Sequence, residues 1–64
     1  LSGVDYVIKR LQGCSDEVGN RVGNHMADAR RYMLCAPDEE SQTYWHGKLI
    51  GMYEMVMIGG KEYW

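Results

Sequence analysis

Apolar residues recur at the helical period through the first half of the chain, and that pattern confines it to helices. With each residue advancing about 100° and Val18 as origin, one set lies within about 80° of a single line. It comprises Val4, Val7, Ile8, Leu11, Cys14, Val22, His25, Met26, Ala29, Tyr32, Met33 and Ala36. Asp5, Lys9, Arg10, Gln12, Asp16, Glu17, Asn20, Arg21, Asn24, Asp28, Arg30 and Arg31 fill the remaining arc, with Tyr6 and Leu34 as its main apolar intruders. No β-alternation of useful length occurs, so the expected fold class is all-α.

Local signals divide this pattern less clearly. Gly13 reads as a glycine just past a helix end, and Ser15 as an N-cap before acidic Asp16 and Glu17. The apolar phase nevertheless runs on unshifted, so one helix over 3–35 and two helices over 3–12 and 15–35 both stay open. Gly19 and Gly23 each lower helix propensity by about 1 kcal/mol relative to Ala, which makes this segment dependent on tertiary packing. The next boundary is sharper. Ala36-Pro37-Asp38-Glu39-Glu40 places proline where a helix starts and carboxylates where its dipole favours them. A second arm over 38–58 follows, closed by Gly59-Gly60, with 59–64 as a tail. The chain reads as a single small helical domain, 1–64: a helical hairpin with an N-terminal helical segment.

The second arm is apolar on two opposite sides. Trp45, Leu49, Met52, Tyr53 and Val56 form one stripe, while Tyr44, Gly47, Gly51, Met55 and Ile58 form the other. One stripe faces the first arm, and the other requires a second covering surface. The simplest is another copy of the chain, giving an oligomeric helical bundle.

Two G-x-x-x-G segments bear on which stripe faces where. Gly19 to Gly23 and Gly47 to Gly51 fall at matching levels of an antiparallel hairpin that turns near residue 35. Small residues at this spacing allow two helices to approach closer than about 8–10 Å. Gly19 and Gly23 are therefore expected at a close helix contact. The same match favours placing Gly47 and Gly51 inside the hairpin, which would reverse the two stripes.

Composition removes several function classes. Sixty-four residues make one small domain whose lone core is marginal, so a partner or self-association is expected. Nine acidic against seven basic residues give a net charge of −2, which supplies no drive toward nucleic acid or anionic membranes. The apolar run 49–60 is interrupted by Glu54 and falls short of the roughly 20 residues that span a bilayer. No secretory signal is visible at the start, and two cysteines make no disulfide framework, so a cytoplasmic location is expected. If Cys14 and Cys35 bracket one helix they stand roughly 30 Å apart, beyond bridging distance.

Candidate chemistry is sparse. His25 and His46 fall near one hairpin level with Asp28 a turn away, a weak ligand set that core or boundary histidines explain better. Glu39 and Glu40 fit helix-start electrostatics better than acid-base work. A triad lacks a body to enclose it, and no phosphate loop exists, so no enzyme activity, metal or cofactor is expected. Arg21, Arg30 and Arg31 raise a helix-turn-helix reading, but Asp16, Glu17 and Asp28 are interleaved with them. The methionines read as core filling, or as an adaptable surface for a partner helix.

The run Pro37-Asp38-Glu39-Glu40, followed by Tyr44-Trp45, Gly47, Gly51-Met52 and Val56, resembles the second arm of short helical-hairpin proteins encoded by tailed bacteriophages. The resemblance covers 37–58, transfers no catalytic residue, and implies a phage accessory or structural component in the host cytoplasm or virion. The expected function is non-enzymatic protein-protein interaction or assembly, as a homo-oligomer. Alternatives are a small acidic inhibitor docking on a host or defence protein, and a DNA-binding regulator.

Overall fold

The computed structural model describes residues 2–59, and those residues form three helices with no strand among them. Helix α1 spans Ser2–Gln12, α2 spans Glu17–Leu34 and α3 spans Glu39–Gly59. Gly60 and the end of the tail lie outside the described residues.

The first two helices are separate. The break falls at 13–16, where the Gly13 and Cys14 amides donate to the Lys9 and Leu11 carbonyls and end α1. Asp16, rather than Ser15, caps α2: its carboxylate accepts from the Gly19 amide at 3.0 Å, which satisfies one of the orphan donors of the first turn. Gly13 does not adopt a left-handed conformation, so the chain reverses without the glycine cap that its position implied.

Helices α1 and α2 run antiparallel and meet over glycine. A Cβ added at Gly23 would lie 2.8 Å from Leu11 Cβ and 3.0 Å from the Gln12 amide nitrogen, so the backbones there leave no room for a methyl group. Polar contacts surround this crossing. Asn20 Nδ2 donates to the Gln12 carbonyl at 2.7 Å, Gln12 Nε2 donates to Asn24 Oδ1 at 3.0 Å, and Asn24 Nδ2 reaches Asn20 Oδ1. At the other end Arg30 Nη2 donates to Asp5 Oδ2 at 3.3 Å, while its Nε sits against Oδ1 off the hydrogen-bonding line. Both side chains are partly exposed, so this pair contributes at most about 1 kcal/mol.

This crossing turns α2 away from the orientation that its apolar residues alone suggest. Gly19, Gly23, Met26, Ala29 and Met33 are buried, whereas Val18 is 59% exposed, Tyr32 is half exposed and His25 is exposed. The buried line is rotated roughly 80° from Val18 toward the glycines. Glycine carries no apolar side chain and does not register in a hydrophobic pattern, yet it offers the flattest surface, and α1 lies on it.

The core joins Val4, Val7, Ile8 and Leu11 of α1 to Met26, Ala29 and Met33 of α2 and to Leu49 and Val56 of α3. Helix α3 starts as its sequence indicates: Asp38 accepts from the Ser41 amide at 2.7 Å, and Glu39 and Glu40 occupy the first turn.

Gly23→Ala is expected to lower the unfolding free energy in urea by about 1–3 kcal/mol, because the methyl group must displace Leu11 or the α1 backbone. Asp38 supplies a pH test. Backbone and side-chain hydrogen bonds from Ser41 hold its carboxyl below the usual carboxylate value, so its stabilising effect is present above the unfolded-state pKa and is lost as pH falls through the folded one. In parallel acid titrations followed by circular dichroism, the stability gap between the native chain and Asp38→Asn should narrow over that range.

Candidate interaction surface

The two stripes of α3 take different fates. On the inner side Leu49 and Val56 are buried, and Trp45, Met52 and Tyr53 pack half-buried against the core. On the outer side Tyr44, Met55 and Ile58 are 57%, 64% and 80% exposed, and Gly47 and Gly51 are exposed between them. A Cβ added at Gly47 or Gly51 would meet nothing within 4 Å.

The two G-x-x-x-G segments therefore do not face each other. Gly19 and Gly23 are buried, with Gly23 pressed against α1, while Gly47 and Gly51 open outward. The choice of stripe follows from apolar area: Trp45, Leu49 and Val56 bury far more in the core than two glycines with Met55 would, and burial scales with area.

An aromatic cluster bridges the inner and outer sides of α3 near the hairpin turn. Tyr32 of α2 stacks on Trp45 with ring centroids 4.8 Å apart and planes tilted by 33°. Tyr44 meets Trp45 edge to face at 5.1 Å. Lys48 Nζ lies 5.6 Å from the centroids of both Tyr44 and Trp45. The spacing Tyr44-Trp45-x-x-Lys48 carries the helical part of this cluster, because residues three and four apart share a face. Tyr32 was legible only as part of an apolar stripe.

Other candidate features are dispersed. His25 and His46 are both exposed, and among the described residues no group of three His, Cys, Asp or Glu side chains is placed to hold a metal ion. Cys14 and Cys35 are free thiols. The arginines of α2 are paired with carboxylates: Arg21 with Glu17 at 3.1 Å, Arg31 with Asp28 at 2.8 Å, and Arg30 with Asp5. An open groove of about 360 Å³ runs between α1 and α3, lined by Gly3, Tyr6, Val7, Arg10, Tyr53 and Met57. No described helix is long and apolar enough to cross a membrane.

Alanine at position 47 should separate the roles of the glycines. At concentrations where the chain is monomeric, Gly47→Ala is expected to raise the unfolding free energy by about 0.5–1 kcal/mol, the propensity gain in a helix with open space at that site, opposite in sign to Gly23→Ala. Comparison of the chain with protein-family models, curated proteins and solved structures gives no match, so the functional reading rests on this geometry.

Proposed function

We propose that this chain is a non-enzymatic assembly protein that self-associates through the outer face of α3 to form a helical bundle. The carrying observation is the exposed stripe Tyr44, Gly47, Gly51, Met55 and Ile58, roughly opposite a stripe that builds the core. From Tyr44 to Ile58 it rises about 21 Å, long enough for a helix-helix seam.

Two further facts support the reading. A glycine in an exposed helix interior lowers helix stability by about 1 kcal/mol relative to Ala, and α3 carries two where the protomer makes no use of them. Close approach of a second helix is the use that small residues at this spacing serve. The protomer is also small, and its buried core holds few side chains, so association adds apolar burial that a lone chain of this size lacks. The resemblance of 37–58 to phage helical-hairpin proteins fits an accessory or structural component of such an assembly.

The carboxylate partners of Arg21, Arg30 and Arg31 argue against the DNA-binding alternative, since a phosphate contact would have to displace each of them. Sedimentation equilibrium over a wide concentration range tests self-association directly. The native chain is expected to form a dimer or larger bundle, and Gly51→Leu to shift association at least tenfold to higher concentration, with circular dichroism showing both helical. A folded monomer at every concentration would overturn the proposal.

A further inference from the structure

The outer stripe of α3 has a symmetric spacing that fits a second copy lying antiparallel on it. Its residues, Tyr44, Gly47, Gly51, Met55 and Ile58, are separated by three, four, four and three residues. The spacing reads the same in both directions about Gly51. In an antiparallel pair related by a two-fold axis that lies between the helices, perpendicular to both and level with Gly51, each residue of the stripe therefore lies level with another residue of the stripe. An isologous interface demands this kind of self-matching surface.

From this we infer that two copies pair through antiparallel α3 helices crossing at Gly51, an inference that rests on the self-association proposed above. In that arrangement Tyr44 of one copy lies level with Ile58 of the other, and Gly47 with Met55. Met55 points between Tyr44, Gly47, Lys48 and Gly51 of the second copy, a hole of the i, i+3, i+4, i+7 form that accepts a helical knob. Two of its four corners are glycines with nothing within 4 Å of their Cβ positions, so the hole is deep enough for an unbranched thioether.

Charge selects the same direction. Glu40 lies one turn before Tyr44 on the outer stripe, with Glu39 beside it and the capping carboxylate of Asp38 just below. A parallel pair would set these carboxylates against their counterparts at one level and align the helix dipoles. The antiparallel pair puts the two acidic ends at opposite ends of the seam and opposes the dipoles.

Cysteine pairing tests the direction separately from association itself. In a chain carrying Cys14→Ser and Cys35→Ser, Tyr44→Cys and Ile58→Cys are made singly, at exposed positions that the core does not use. Each variant, and an equimolar mixture, is equilibrated in a glutathione buffer at concentrations where sedimentation shows association, and disulfide-linked species are identified by mass. The expected result is a mixed species that links position 44 of one copy to position 58 of the other. Little self-linked product is expected from either variant alone, because like positions then stand about 21 Å apart. Self-linkage of each variant would show a parallel pair and overturn this inference while leaving self-association intact. Association without any of these linkages would place the seam elsewhere and overturn it as well. A native chain that sediments only as a monomer would instead overturn the reading on which it rests.

Discussion

The close approach of α1 to α2 at Gly23 is the constraint from which the remaining architecture follows. With Leu11 Cβ only 2.8 Å from where a side chain at position 23 would begin, the two helices pack too closely for any residue but glycine there, and α2 turns its glycine line toward α1. That rotation exposes Val18 and His25, which a purely apolar pattern would have buried. It also consumes the glycine surface of α2. Helix α3 then packs through bulk, with Leu49 and Val56 entering the core and Trp45 closing it against Tyr32.

Placement of the polar groups follows the same crossing. Among the described residues no polar or charged side chain is buried; the amide network of Gln12, Asn20 and Asn24 sits at the rim of the α1–α2 contact, and Arg30 reaches Asp5 along its edge. Such contacts cap backbone groups and fix the register of α1 on α2, while apolar burial supplies most of the free energy. The helix starts are held locally by Asp16 and Asp38, each accepting an amide hydrogen three residues along.

Because the inner stripe of α3 is committed to the core, its outer stripe leaves Tyr44, Met55 and Ile58 exposed, flanked by Lys48 and Glu54, together with two glycines that the protomer does not need. The aromatic group of Tyr32, Tyr44, Trp45 and Lys48 ties the two sides of that helix together. Tyr44 is thereby pre-positioned at one end of the outer stripe, which in the proposed pairing would reduce the side-chain ordering that association requires. Under the self-association proposed above, this surface would recognise a second helix by shape, with room for close approach at Gly47 and Gly51.

Periodicity and capping chemistry determined by themselves that the chain is helical, that a helix begins after Pro37, and that residues 44, 47, 51, 55 and 58 share one face opposite 45, 49, 52 and 56. These are properties of one helix at a time, and local chemistry decides them. Whether 3–35 breaks, which way α2 faces and which stripe of α3 points inward were decided only in the tertiary structure. The break at 13–16 leaves α1 free to fold back, the facing of α2 depends on the shape of a glycine surface that carries no hydrophobic signal, and the choice of stripe depends on which packing buries more area between helices. The paired G-x-x-x-G segments show the distinction: their spacing was legible in the chain, but Gly23 found α1 as its neighbour because Leu11 fits against it, and that fit exists only once the helices are packed.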